Sequence, residues 1–293
     1  MSVSTAYLGI ILIWSTTPLA IKWSGEGPGF LFGLSARMLI GTLICLIIMA
    51  FMRVRLDWKK EALLTYLAAS LGIFGSMLCV YWGAQYITSG MVSVLFGLTP
   101  LLTSVFAAII LRENSLNAIK LFGIFLALCG LVLVFYTDIA KSEIVYVGIL
   151  AVIGATLLHS LSTVLIKKIG SQLPGIVINT GSLLISSFLF ILVWLITDSE
   201  LPQTLTLKSG GSILYLGVFG NVVGFTLYFY ALKNMDASKI GLIPLITPVL
   251  ALILGYVLNS ETIGWTLISG TALIMLGLIF HNWRKTPVPV LDN

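Results

Sequence analysis

Ten segments of this chain are each apolar over about 20 residues, the length an α-helix needs to cross the hydrocarbon of a bilayer. They run approximately over 4–21, 30–51, 62–84, 88–111, 118–136, 146–166, 174–197, 211–232, 238–258 and 262–282. In lipid every backbone amide must be paired internally, so a spanning element is a helix or a strand of a closed barrel. Barrel strands alternate polar and apolar residues. Runs such as Gly41–Phe51 do not alternate, so the expected class is an all-α integral membrane protein. Only 9% of residues are charged, against 58% hydrophobic, whereas a soluble domain carries about 25% charged residues. This balance excludes a cytosolic enzyme, a nucleic-acid-binding domain and a secreted disulfide scaffold. The expected partners are the bilayer and a small-molecule substrate, with no nucleic acid.

Cys45, Cys79 and Cys129 each lie inside an apolar run with no CxxC pairing, which points to neither metal nor redox roles. No Walker A, HExxH or GxSxG pattern occurs, so no cofactor and no metal are implied. The first segment lacks a basic leader and an A-x-A site, and reads as a retained helix rather than a signal peptide.

The net charge of +5 becomes informative once it is distributed over the connections. With the N-terminus cytoplasmic, the inner side holds Arg53, Arg55, Lys59, Lys60, Arg112, Lys120, Lys167, Lys168, Lys233, Lys239, Arg284 and Lys285. The outer side holds Lys22, Lys141 and Lys208, and Arg37 falls inside segment 2. The positive-inside rule then places both termini in the cytoplasm of a plasma (inner) membrane protein.

The chain also repeats itself. Leu98-Thr99-Pro100 matches Ile246-Thr247-Pro248 at an offset of 148, and the same offset carries Glu113 onto Glu261. Gly123 and Gly130 align with Gly270 and Gly277, Tyr81 resembles Tyr228, and Pro28 and Pro174 open segments 2 and 7. The division is 1–145 and 146–293, five segments each. Five is odd, so the second half enters the membrane inverted, the architecture of many secondary transporters that work by alternating access.

On these residues the chain resembles the drug/metabolite transporter superfamily, specifically EamA-type proteins. The pattern is carried by Trp14, Lys22, Pro28 and Arg37, by Ala84, Pro100, Glu113 and Gly123, and by Ala231, Pro248, Glu261 and Gly270. Leu111-Arg112-Glu113-Asn114 departs from the usual Gly-Glu-Arg after segment 4. The resemblance implies ten helices around a central cavity and export of small metabolites, often amino acids. It also places segments 5 and 10 at a homodimer contact.

Several residues suggest a binding site. Arg37 is about 10 Å deep at 1.5 Å per residue. A charge there is expensive; it either meets a substrate carboxylate or phosphate or braces helix carbonyls. No acid lies mid-span. His159 is the deep histidine, a proton shuttle or a helix–helix hydrogen bond. Trp14, Thr16 and Thr17 with Ser15 put polar atoms mid-depth in segment 1, and Pro18 removes a backbone donor there. Tyr81 and Gln85, four apart, share a helical face; Tyr228 and Tyr230 lie at the matching level of segment 8. Asn179 and Asn221 add amides, which must find partners in lipid. Together these line a site for a zwitterion with an apolar side chain, or glue helices together. Pro18, Pro100, Pro244 and Pro248 are hinge candidates. Trp23, Trp58, Trp194 and Trp283 fit the interface belt.

The expected function is transport of a small polar or zwitterionic metabolite, first an amino acid, outward by alternating access. The alternatives are a carrier of organic cations held by cation–π contacts, a channel, or a lipid enzyme, for which no nucleophile or acid/base cluster is seen.

Overall fold

In the computed structural model, which describes residues 3–112, 118–139, 143–197, 201–202, 204–234 and 243–282, these residues fold into helices joined by short connections. The helices are α1 (Val3–Gly25), α2 (Phe30–Phe51), α3 (Lys60–Ser70), α4 (Ser76–Gly83), α5 (Ser89–Phe96), α6 (Thr99–Ile110), α7 (Ala118–Ile139), α8 (Glu143–Ile169), α9 (Gly175–Thr197), α10 (Leu207–Tyr215), α11 (Phe225–Asn234), α12 (Ile243–Asn259) and α13 (Trp265–Asn282). Among the described residues seven helices are long and apolar enough to cross a membrane. Three shorter apolar stretches accompany them, Ala118–Val134, Ile246–Asn259 and Trp265–His281.

Two rods contain π-helical turns where unbroken α-helix is expected. Leu71–Gly75 joins α3 to α4, and the longer Leu216–Gly224 joins α10 to α11. A π turn widens the helix and shifts the register of the residues after it, and such turns concentrate at functional sites. A third rod breaks at Gly97-Leu98 between α5 and α6. Pro100 therefore sits in the first turn of α6, where its missing N–H costs nothing, and not in a helix interior. The backbone of Pro244 likewise lies in the opening turn of α12, its side chain outside the described residues. Pro18 and Pro248 are interior prolines.

Local chemistry sets the ends. Thr88 caps α5 by accepting from the Met91 N–H at 3.2 Å, and Thr206 caps α10 by accepting from the Ser209 N–H at 3.1 Å. Between α1 and α2 the chain turns at Gly27 and Gly29, with φ of 92° and 84°, conformations that favour glycine.

In the packed body, α2 lies along α9, α8 receives α3, α4 and α6, and α1 packs on α10, α11 and α12. The α7–α13 pair packs chiefly on itself. Its seam is glycine against glycine: a Cβ on Gly277 would lie 2.5 Å from the Gly123 carbonyl, and one on Gly130 would lie 2.6 Å from the Gly270 carbonyl. The glycine faces of segments 5 and 10 are thus used up within one chain. Outward, Leu12, Ile47, Phe125, Phe188 and Leu214 are exposed, the reverse of a soluble surface and the arrangement lipid requires.

Gly277→Leu should cost about 1–3 kcal/mol by overpacking this seam and lower the melting temperature in detergent. Gly154→Ala, where the added Cβ meets nothing within 4 Å, should not lower it, since glycine is the poorer helix former.

Candidate functional site

Three layers of polar and aromatic groups contact α1. The first centres on Arg37, which is 1% exposed. One terminal nitrogen donates to the Tyr81 hydroxyl at 3.2 Å, and the other to Asn221 Oδ1 at 3.0 Å and Met77 Sδ at 3.8 Å. The guanidinium also lies over the Tyr81 ring, 5.3 Å from its centroid. Asn221, inside the second π turn, returns a bond to the Arg37 carbonyl at 2.9 Å. Asn179 on α9 donates to the Asn221 carbonyl at 2.8 Å and to Thr226 Oγ1 at 3.2 Å. Tyr81 is joined to α1 through Ser24 Oγ at 3.1 Å. All the described partners of Arg37 are neutral. A buried guanidinium without a carboxylate persists only if oriented dipoles replace its water, and here amide, hydroxyl and ring supply them. Arg37 Nε and Asn179 Oδ1 are buried without a hydrogen-bond partner.

Trp14, ten residues before Ser24 on α1 and so about 15 Å from it at 1.5 Å per residue, opens the second layer. Its ring lies 5.2 Å from Tyr228 on α11 and 6.5 Å from His159 on α8. His159 is also 5.7 Å from Tyr228 and 6.1 Å from Phe96 on α5. The Tyr228 hydroxyl shares a 2.9 Å hydrogen bond with Thr163, whose Oγ1 also donates to the His159 carbonyl at 2.9 Å. His159 Nδ1 is buried and unpaired. Pro18 leaves the Trp14 carbonyl without its helical donor. This aromatic cluster therefore combines apolar faces with a buried polar atom, His159 Nδ1, that has no hydrogen-bond partner.

The third layer lies at the end of α1. Glu261, in the connection after α12, is buried. Its carboxylate accepts from the Ser89 and Gly90 backbone N–H groups at 3.0 and 3.3 Å, from Ser89 Oγ at 3.0 Å and from Asn259 Nδ2 at 2.9 Å. Lys22 Nζ is 3.9 Å from it and donates to the Ile87 carbonyl at 3.1 Å. Trp23 Nε1 donates to Asn259 Oδ1 at 2.8 Å, and Lys208 pairs with Glu26 at 2.9 Å while lying over the Trp23 ring.

Of the residues expected to line a site, Arg37, Tyr81, Asn179 and Asn221 meet in one layer, and Trp14, His159 and Tyr228 in another. The others fall elsewhere. Gln85 is exposed, because α4 ends at Gly83, and its side chain donates to the Trp82 carbonyl at 3.3 Å. Tyr230, two positions from Tyr228 and so on a different face, packs with Ala6, Ile10 and Ile243. Thr17 bonds its own helix at the Ile13 carbonyl, 2.6 Å. Thr16 shares a 2.6 Å bond with the Tyr215 hydroxyl and borders a separate cavity of about 400 Å³ between α1, α10 and α12, with Trp23 and Lys208 at its edge. Of the belt tryptophans, Trp58 is exposed, Trp23 belongs to the third layer, and Trp194 packs edgewise on Phe32 at 6.0 Å with Nε1 buried. Glu113 and Trp283 lie outside the described residues.

The EamA-like transporter family model matches the chain twice in tandem, over residues 2–136 and 146–283. The chain belongs to the EamA-like transporter family. It is a multi-pass membrane transporter, not an enzyme. The uncharacterized transporter YoaV of Bacillus subtilis is 27% identical over 97% of this chain and 97% of its own length. An uncharacterized transporter of Archaeoglobus fulgidus is 29% identical over 92% and 94%. One crystal structure superimposes with a TM-score of 0.69 at 21% identity, covering 96% of this chain and 97% of that one, a likeness of fold alone.

Sequence reasoning missed Glu261, Lys22 and Ser89 as a group, although Lys22 and Glu261 are in the family pattern. It also missed the π turns. Their signal was present: Leu71-Gly72-Ile73-Phe74-Gly75 recurs as Leu216-Gly217-Val218-Phe219-Gly220. No such signal marks Phe96 or Thr163.

Removing the Arg37 acceptor by Asn221→Leu should cost about 1.5–3 kcal/mol, because it leaves part of a buried charge unpaired. Arg37→Met with Asn221→Leu should be more stable than additivity allows. A double-mutant cycle on thermal stability reads the coupling.

Proposed function

We propose that this transporter is a secondary carrier exporting a small polar or zwitterionic metabolite, with amino acids as the first candidates. The chain would cross the membrane ten times as two inverted five-helix repeats, 1–145 and 146–293, with both termini cytoplasmic in the plasma (inner) membrane. The tandem family matches, the recurring π turns and the Lys/Arg distribution support that reading.

The observation that carries the assignment is the aromatic ring. Trp14 and Phe96 come from the first half, His159 and Tyr228 from the second. Every ring contact across the halves is undirected, while the Tyr228–Thr163 hydrogen bond stays within one half. The ring can therefore part and re-form around a ligand without stranding a hydrogen bond. The aromatic faces suit an apolar side chain. His159 Nδ1 and the Trp14 carbonyl suit the polar end. Arg37, fully enclosed here, acts as a brace between α2, α4 and the second π turn, and reaches a substrate carboxylate only if that layer opens.

Counterflow in proteoliposomes tests the proposal. Vesicles preloaded with one unlabelled amino acid should accumulate its labelled form saturably. Trp14→Ala should raise the half-saturation concentration about tenfold, the factor that corresponds to losing about 1.4 kcal/mol of ring contact. Folded protein giving no counterflow with any proteinogenic amino acid overturns the substrate class. Saturable exchange of organic cations in the same vesicles would replace it with cation–π recognition.

A further inference from the structure

We propose that Glu261 is the latch that holds one end of the carrier shut, so that breaking its contacts is a required step of transport. The inference rests on the alternating-access reading above.

Four segments meet at the end of α1, and Glu261 lies at their junction. Its carboxylate belongs to the second half, whereas Ser89, Gly90 and Lys22 belong to the first. The contact is therefore made across the two bodies that alternating access separates. It is directed and charge-assisted, unlike the ring contacts deeper in. Both carboxylate oxygens are used, by two backbone N–H groups in the first turn of α5, a hydroxyl and an amide. A carboxylate at a helix N-terminus also meets the positive end of the helix dipole. Gly255 makes room for it: a Cβ there would lie 2.5 Å from Glu261 Oε2.

The neighbouring contacts close the same end. Trp23 bonds Asn259, which itself bonds Glu261, and Lys22 ties the end of α1 to Ile87 before α5. The Glu26–Lys208 pair joins α10 to the same corner, but both side chains are 46% exposed, and an exposed pair contributes little. Glu261, 9% exposed, is where the closing energy concentrates. If this end opens, Glu261 loses the α5 donors and water must replace them. The latch thus sets how often this end opens, while the aromatic ring determines what is bound.

The test is a distance measurement on full-length protein in lipid nanodiscs. Spin labels go on Gln85→Cys and Thr262→Cys, both exposed and one in each half, in a background lacking Cys45, Cys79 and Cys129. The wild-type background should give one short distance population. Glu261→Gln and Glu261→Ala should raise the longer-distance population about tenfold or more, as expected for losing a charge-assisted hydrogen bond. Lys22→Met should raise it less. Unchanged distances in both Glu261 variants, with each monodisperse and folded, overturn the proposal and reduce Glu261 to a helix cap. Should Glu261→Ala fail to fold, Ser89→Ala must still shift the population in the same direction. Its failure to do so is equally decisive. The readout needs no substrate. A shift without wild-type amino-acid counterflow keeps the latch and removes the substrate class. Counterflow without a shift removes only the latch.

Discussion

Housing a guanidinium away from water, with no carboxylate beside it among the described residues, is the constraint on which the middle of this structure depends. The Arg37 charge is tolerable only because dipoles from two other elements converge on it. Tyr81 reaches it from α4, itself tied to α1 through Ser24, and Asn221 from the second π turn. Asn221 can do so only at close backbone approach. A Cβ on Gly41 would lie 2.7 Å from Asn221 Cβ, and one on Gly217 would lie 2.8 Å from Ile40 Cγ2. The widened π register and the missing side chains are thus one solution to one electrostatic problem. Asn179 then holds Asn221 from behind, through its carbonyl.

The same logic sorts the helix contacts by how separable they are. Along α2 and α9 the contacts are directed hydrogen bonds: Thr42 with Ser187 at 2.7 Å and with the Leu183 carbonyl at 3.3 Å, and Ser35 with the Phe190 carbonyl at 3.2 Å. Between α3 and α8, Ser162 donates to the Ala68 carbonyl at 2.7 Å, where Gly72 leaves room for it. Parting these in lipid would strand polar groups. The rings of Trp14, Phe96, His159 and Tyr228 meet across the halves without a hydrogen bond, although Thr16 with Tyr215 at 2.6 Å and Ser160 with the Thr99 carbonyl at 3.2 Å cross between the halves close by.

Much of this was legible in the sequence, for physical reasons. Burial in lipid forces apolar runs, so the helices showed in composition. Charge in lipid is expensive, so Arg37 stood out as one residue. Aromatic and amide groups at matching depth in the two repeats pointed to Trp14, Tyr81, Tyr228 and Asn221. What stayed hidden depends on register. Gln85 shares a helical face with Tyr81 only if the helix continues, and it ends at Gly83. Tyr230 is at the depth of Tyr228 but on another side of the helix. Pro100 reads as an interior proline until the break at Gly97-Leu98 turns it into a helix start. Glu261 looked like a loop acid because its position after a span says nothing about the helix N-terminus that folds over it.

The two buried charges also differ in what their partners permit. Arg37 is matched by neutral groups that are themselves buried, including Tyr81 at 1% and Asn221 at 0% exposure. Separating them would leave the charge in a dry interior, where desolvation exceeds any gain. Glu261 faces a cation whose side chain is 27% exposed, at the end of a helix rather than midway along one. Water entering there can solvate both partners as they part. Depth therefore divides the roles: the inner charge fixes a seam, and the outer one can come apart and re-form. Lys22, Trp23, Ser24 and Glu26 belong to one stretch of α1 and its following turn, and they connect the two layers. Displacing that stretch therefore loads the Glu261 contacts and, through the Ser24–Tyr81 bond, the Arg37 layer as well.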